Sequence, residues 1–576
     1  MALPTLAPTW LTDRTAVAPT VAPNWLTHRG VIAAATITVV VALQLWVGAF
    51  RSERGLYSDE SAHFMNGLVL RDYIRENPGQ SPMTFAREYY SHYPKIAPFM
   101  WPPLFHGMLG LFLLPGWAPM PAAIFFLGLF TAWIAWRLYF TVSPFSSAPV
   151  AIGAVSLFLF TPIVIELSSS VMVDIVVAAF AFEALVWLGR FSHSESTKDA
   201  AIFGLMTACA CAAKGNGLSL VFAPLALILF TGNYRLLRRP GFYVAAAIVV
   251  VIAAPPLYVA YQLDAPLGDF SPLTWPLVWS RVTFYSNYVW EQLGTVTLLL
   301  AAVGTGVALS RRTEMVYGSA VHQAAALVAV TTGAFVFHLV SPHTLSSGRY
   351  ITLAVAPILG LAALGVMALT RIMMRRYARW SVQLITFAVI AVVQVINHST
   401  LAAQAPLGYR SAFKFIDASA GLANRRVLVV SDEFGEGAGV AEAAALGRYP
   451  RPMILRGSKI LASDDWMGNH FTLRHKSPEE LLRDLEAMQV DYVLLDESER
   501  PRGLPYWEQT AAALTLLDGH AELVSKAPVD RKTGPLRPVN VYRLNFKAPG
   551  APEPIELTGT ADRSLEHLRV DFRHLQ

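Results

Sequence analysis

Residues 31–63 read VIAAATITVVVALQLWVGAFRSERGLYSDESAH, an almost uninterrupted apolar stretch that runs into the acidic pair Asp59-Glu60. Crossing a hydrocarbon core of about 30 Å takes about 20 helical residues, so 31–50 reads as a membrane span. It is too long for the apolar region of a cleavable signal, so the expectation is a retained helix. The same signature recurs near 119–140, 147–166, 171–189, 199–213, 215–232, 242–262, 294–310, 319–340, 350–370 and 381–399. The chain therefore reads as an α-helical polytopic membrane protein of about eleven spans. Composition agrees: 54% of the 576 residues are hydrophobic and 15% charged, against roughly 25% charged in soluble domains.

The basic residues orient the spans. Arg235, Arg238 and Arg239 form one cluster, Arg311 and Arg312 another, and Arg371, Arg375, Arg376 and Arg379 a third. If all face the cytoplasm, alternation places residues 1–30 inside and the loop 51–118 outside. Residues 263–293, 341–349 and everything after 400 then also lie outside. The expected location is the inner (plasma) membrane, with a cytoplasmic N-terminus and a periplasmic C-terminal domain. The net charge of +5 fits basic cytoplasmic loops and gives no sign of nucleic-acid binding. Cys209 and Cys211 lie one residue apart in an apolar run, point to different helix faces and imply neither disulfide nor metal.

Residues 401–576 alternate strand and helix. Val427–Val430, Met453–Leu455, Asp491–Leu495 and Val539–Leu544 read as strands, and Gly437–Leu446 as a helix. Ser477-Pro478-Glu479-Glu480 reads as a helix start. The expectation is a soluble domain with a small parallel or mixed α/β sheet. Gly435-Glu436-Gly437-Ala438-Gly439 lacks the dinucleotide-binding spacing and reads as a strand–helix turn.

The candidate chemistry clusters at the outer ends of the helices. Asp59 and Glu60 follow the first span directly, where partial desolvation raises a carboxylate's basicity and one of them can serve as a proton acceptor. The structural alternative is a helix start, with Ser58 as N-cap and two acidic residues in the first turn. Downstream, Tyr89–Lys95 and Trp101–His106 place His92, Lys95, Pro102, Pro103 and His106 in the same loop as His63. These residues suit either an interfacial aromatic belt or a groove for a polyisoprenoid or a sugar. The Pro-led segment Trp101–Leu114 reads as a helix lying at the interface.

Asp174 sits in an apolar run, and an intramembrane carboxylate is a functional candidate by default. Glu166 and Glu183 share the argument, as an end cap and as a paired charge. Lys214, followed by Gly215-Asn216-Gly217, suits a phosphate site, as does Arg349 in Ser347-Gly348-Arg349-Tyr350. Snorkelling to headgroups is the plain alternative for both. His338 and His343 show no metal-ligand spacing.

Asp59-Glu60, Pro102-Pro103, Asp174 after a Ser-rich segment, Ala213-Lys214-Gly215 and Arg349-Tyr350 occur in an order that resembles the GT-C membrane glycosyltransferases. The likeness covers about residues 30–370. It is to the dolichyl-phosphate-mannose-protein mannosyltransferase-like group (family 39) and its relatives that transfer aminoarabinose to lipid A. The resemblance implies a GT-C catalytic module over 31–400. It also implies transfer of a sugar, with inversion, from a polyprenyl-phosphate donor to a protein, lipid or glycan acceptor outside the cytoplasm. Asp59 would be base or acceptor-orienting group, with Glu60 and Asp174 beside it. Lys214, Arg349 and Tyr350 would meet the donor phosphate, and His63, His92, Pro102, Pro103 and His106 would line the substrate groove. Where the aminoarabinose enzymes have Glu-Lys before the interfacial proline, this chain has Trp101; Lys95 is the nearest substitute cation. No metal ligands are assigned, although a divalent metal is possible. The partners expected are the lipid-linked donor, membrane lipids and an acceptor. The external domain is expected to cover the site and help choose the acceptor. Two other classes stand beside this one, a polyprenyl-lipid flippase or transporter and a non-catalytic membrane scaffold.

Overall fold

The computed structural model describes residues 29–263, 272–310, 320–341, 346–373, 407–463, 472–516, 521–527, 539–546, 555–557 and 568–570, apart from 54 and 99. In a bilayer core the backbone must satisfy its own hydrogen bonds, so the apolar runs fold as helices. These are α1 (Arg29–Trp46), α2 (Ser58–Glu76), α3 (Pro82–His92), α4 (Leu104–Phe112), α5 (Pro119–Val142), α6 (Ala148–Phe160) and α7 (Pro162–Ser168). After them come α8 (Asp174–Ser194), α9 (Thr197–Ala213), α10 (Ala223–Thr231), α11 (Pro240–Leu263), α12 (Trp275–Ala308), α13 (Ala320–Val340) and α14 (Thr352–Met373).

Among the described residues, seven helices are long and apolar enough to cross a membrane, or up to eight if α6 and α7 form one span bent by 63°. Ten of the eleven expected runs lie in these residues, more than the seven or eight spans found there. The run 381–399 lies outside the described residues. The run 215–232 opens as a 3₁₀ segment, Gly215–Phe222, and leaves only nine residues of α10. The run 199–213 is the 17-residue α9, which ends at Lys214. Lys214-Gly215-Asn216-Gly217 separates the two runs, because a cation and two glycines disfavour continuing the helix. At 34 residues α12 would be about 51 Å long if straight; it bends at Gly294, φ 74°.

Helix α14 is the central helix of the bundle. It crosses α12 through facing glycines: a Cβ on Gly304 would lie 1.8 Å from the Leu361 carbonyl oxygen, and one on Gly365 2.0 Å from that of Leu300. Both obstacles are backbone, so the helices must separate to admit a methyl group. Gly304→Ala is therefore expected to cost about 1–3 kcal/mol and lower the thermal unfolding midpoint of the purified protein. Gly306→Ala, with open space around it, is the control, and an equal loss in both would refute this packing account.

The loop 51–118 is not extended chain. It folds into α2, α3 and α4, and Pro103 is the N-cap of the short α4. The C-terminal region carries a five-stranded mixed sheet. Its strands are β1 (Arg426–Val430), β2 (Met453–Arg456), β3 (Tyr492–Asp496), β4 (Ala521–Ala527) and β5 (Val539–Leu544), in spatial order β2-β1-β3-β5-β4. β1 pairs in parallel with β2 and β3; β5 pairs antiparallel with β3 and β4. Helices α15 (Tyr409–Ala420), α16 (Glu433–Ala445), α17 (Gly457–Ile460), α18 (Pro478–Ala487) and α19 (Pro505–Leu516) complete it. Ser477 caps α18, its side chain accepting from the Glu480 N–H. The Gly435–Gly439 stretch is not a turn: it lies inside α16, capped by Asp432.

This domain sits directly on the first loop. The Tyr409 N–H donates to Glu53 at 2.8 Å and Arg410 to the Ser52 carbonyl at 3.0 Å. Arg456 donates to the Pro94 carbonyl and His92 Nδ1 to that of Pro452, both at 3.3 Å. Arg451 pairs with Glu76 and lies 5.0 Å over the Tyr89 ring.

Candidate functional site

The start of α2 sets the site. Its N-cap is Tyr57, and no side chain caps it, so the reading of Ser58 as cap is corrected. With the helix beginning at Ser58, Asp59 and Glu60 fall in the first turn and face different partners. Asp59 Oδ2 accepts from Arg349 at 2.6 Å. Glu60 is fully buried and accepts from the Val171 N–H at 2.9 Å, which fixes the turn that delivers Asp174. Glu60 thus ties the start of α2 to the turn before Asp174.

Asp174 opens α8, with its side chain 1% exposed. Its Oδ1 accepts from Lys214 Nζ at 2.9 Å, while Oδ2 is buried with no partner. Lys214 reaches it because α9 stops there: a Cβ at Gly217 would fall 2.4 Å from the Ala210 carbonyl carbon, so only glycine lets the chain fold back so tightly.

The two ion pairs meet at Tyr350. The Lys214 ammonium lies 5.0 Å and the Arg349 guanidinium 5.6 Å from the centroid of its ring. Arg349 also lies 5.0 Å over Tyr57, whose hydroxyl donates to Glu166. Arg349 Nε is buried without a partner. Tyr350 is held in the 3₁₀ turn Gly348–Ile351, and His338 Nε2 donates to its carbonyl at 3.1 Å. His343 lies outside the described residues. Asp59, Asp174, Lys214, Arg349 and Tyr350, read separately from the sequence, are thus brought together. Glu183 is not among them: it takes a bidentate ion pair from Arg137 at 2.5 and 2.7 Å and a bond from Trp187.

His63 and His106 form a buried pair, Nδ1 to Nε2 at 3.0 Å, with the Trp101 ring 4.2 Å from His63. Burial lowers both imidazoles, that of His106 to about 3, so both are neutral. Each outer nitrogen, His63 Nε2 and His106 Nδ1, has no partner. Pro102 and Pro103 lead from Trp101 into α4 and bring His106 to this pair. His92 faces the α/β domain instead, and burial lowers it too. Lys95 lies under α16, where a Cβ on Gly437 would stand 2.9 Å from its Cε. Sequence reading passes over Tyr57 and the Glu60–Val171 bond; the aromatic residue two places before Asp59 is the one local signal of the two. No group of three or more metal-ligating side chains occurs among the described residues.

The family model described as dolichyl-phosphate-mannose-protein mannosyltransferase matches residues 101–259. Among solved structures, the chain is similar to ArnT from Cupriavidus metallidurans bound to undecaprenyl phosphate. The TM-score is 0.54 at 12% identity, over 90% of this chain and 99% of that one. The apo state of the same protein aligns with TM-score 0.52 and 12% identity, over 88% and 98%. AglB from Archaeoglobus fulgidus, an archaeal oligosaccharyltransferase in complex with an inhibitory peptide and a dolichol-phosphate, aligns at 0.47 and 12% over 80% and 69%. No curated protein matches. At this identity the structural likeness is one of fold, and with ArnT it extends over nearly the whole length of both chains.

Proposed function

We propose that this multi-pass membrane protein, which carries the mannosyltransferase family's segment at residues 101–259, is an inverting glycosyltransferase. It moves a sugar from a polyprenyl-phosphate donor to an acceptor at the external face of the plasma membrane, with the N-terminus cytoplasmic and the α/β domain outside. The supporting observation is the convergence of Asp59–Arg349 and Asp174–Lys214 around Tyr350 at one end of the bundle. A lipid-linked donor cannot leave the membrane, so its phosphate must be met at headgroup depth. There Lys214 and Arg349 supply the cations that stabilise charge developing on the leaving phosphate. Each cation is neutralised by a carboxylate, which lowers the cost of holding it buried until the phosphate arrives.

The acceptor approaches from the other side of the sugar. Asp59 Oδ2 is occupied by Arg349, so Oδ1 orients the acceptor's hydroxyl or amine for in-line attack, and inversion follows. The neutral pair His63–His106, with Trp101 beside it, borders the groove where an apolar isoprenoid or a sugar ring would lie. ArnT is recorded bound to undecaprenyl phosphate; a lipid phosphate of that class is the donor carrier proposed here. The reading is tested by comparing cell-envelope carbohydrate with and without the chain. A non-catalytic scaffold predicts no difference, and a flippase predicts loss of every product of the lipid-linked sugar.

A further inference from the structure

Among the described residues, two buried polar atoms of the Tyr350 cluster stand without a hydrogen-bond partner, Asp174 Oδ2 and Arg349 Nε. Both belong to groups that meet at the Tyr350 ring. Asp174 is tied through Oδ1 to Lys214, whose ammonium lies 5.0 Å from the ring centroid, and the Arg349 guanidinium lies 5.6 Å from it. Arg349 Nη1 also reaches Met172 Sδ at 3.9 Å, in the turn that delivers Asp174. A carboxylate oxygen buried without a partner carries a desolvation penalty and calls for an explanation. The two atoms make opposite demands. Oδ2 of an ionised carboxylate only accepts, and the guanidinium Nε–H only donates. A phosphate oxygen would satisfy Arg349 but repel Oδ2. A hydroxyl can donate its proton to Oδ2 and offer a lone pair to Nε.

We propose that Asp174 Oδ2 accepts a hydrogen bond from the 2-hydroxyl of the lipid-linked sugar, the hydroxyl on the carbon next to the anomeric centre. The chain then selects sugars with a free 2-hydroxyl over 2-deoxy and 2-acetamido sugars. The proposal rests on the glycosyltransferase reading and deepens its sugar site. Lys214 ties Asp174 to the side where the phosphate leaves, and Asp59 holds the side of the incoming acceptor. The hydroxyl that Oδ2 meets is therefore the transferred sugar's own. In a glycosyl phosphate the 2-hydroxyl is the sugar hydroxyl nearest the phosphate, so a phosphate held by Lys214 and Arg349 brings it to Oδ2 and Nε. The burial of Asp174, its side chain 1% exposed, suits a hydroxyl and disfavours the bulk of an acetamido group. As the bond to phosphate stretches, positive charge grows on the anomeric carbon. The adjacent hydroxyl becomes a stronger donor, and its bond to the carboxylate strengthens in the transition state.

The test is a set of binding titrations on the purified full chain. The probes are undecaprenyl phosphate and its β-mannosyl, β-glucosyl, 2-deoxy and 2-acetamido-glucosyl derivatives. Mannose and glucose differ only in configuration at the 2-position, so a single 2-deoxy compound is the control for both. A hydrogen bond to a buried charge predicts that one of the two epimers binds about 10–100-fold more tightly than the 2-deoxy compound. Binding of both epimers no tighter than the 2-deoxy compound overturns the proposal, as does a 2-acetamido derivative that binds as tightly as the better epimer. In Asp174→Asn an amide donor can replace the bare oxygen, and the preference for the hydroxyl is expected to shrink about tenfold. An undiminished preference in the folded variant overturns the proposal. The comparison of probes needs only wild type, so a variant that fails to fold leaves it intact. If wild type binds none of the polyprenyl phosphates, the glycosyltransferase reading has failed and the proposal with it. If undecaprenyl phosphate binds and the sugars do not discriminate, the hydroxyl contact alone is overturned.

Discussion

Asp59→Asn is expected to lower sugar transfer by at least about a hundredfold while leaving the fold intact. Asparagine keeps the size and one carbonyl acceptor, so the start of α2 persists. It removes the charge that pairs with Arg349 at 2.6 Å and that orients the acceptor. Donor binding should change little, because Lys214 and Arg349 remain. If Asp59 served only the dipole of α2, the same substitution would cost about 1 kcal/mol or less of stability and spare activity. Glu60→Gln provides a contrast. Its bond from the Val171 N–H can be accepted by an amide oxygen, so a smaller activity loss is expected. Transfer from a polyprenyl-phosphate sugar by the purified variants separates these outcomes, and near-wild-type turnover by Asp59→Asn would remove it from the mechanism.

The second large effect lies at Asp174–Lys214. Replacing Lys214 by Met strands a carboxylate that is 1% exposed and already has one oxygen unpartnered. Removing one partner of a buried ion pair costs about 3–5 kcal/mol, so Lys214→Met should unfold at markedly lower temperature. Adding Asp174→Asn removes the stranded charge and should recover most of that stability. Activity should not return, because the cation proposed to meet the donor phosphate is still missing. Recovery of stability and transfer together in the double variant would show that the pair is structural only.

The spans were legible because hydrocarbon imposes length and apolarity on a helix regardless of its neighbours. Of the expected runs, the two on either side of Lys214 fall short of a span: Lys214 ends one helix, and the next begins as a 3₁₀ segment. In the α/β region, the strands at 427–430, 453–455, 491–495 and 539–544 are close to those observed, since continuous β-branched and leucine runs are needed for a buried sheet. Strand β4 escapes because Ala521–Ala527 carries Glu522, Ser525 and Lys526, and helix α19 because its apolar residues keep no clear helical period; helix α15 was legible, since Tyr409, Ala412, Phe413 and Ile416 fall at i, i+3, i+4 and i+7, and was passed over. Lone charges in apolar sequence marked Asp174 and Lys214 as candidates, and position after the first span marked Asp59. Their pairing was not legible. Asp59 and Arg349 lie 290 residues apart, and only the bundle's closure around α14 brings them together. Glu60 likewise looks like a partner of Asp59 in sequence, but the 100° step of a helix sends adjacent side chains to different neighbours.

The central claim is that the chain attaches a sugar at the external face, and the most direct measurement is mass analysis of cell-envelope glycans, glycolipids and glycoproteins. Envelopes are compared from cells lacking the chain and from the same cells supplied with wild type or Asp59→Asn. The account predicts a defined sugar increment on one acceptor class that disappears with the chain, returns with wild type and stays absent with Asp59→Asn at equal protein level. An unchanged envelope without the chain, or full restoration by Asp59→Asn, would contradict it.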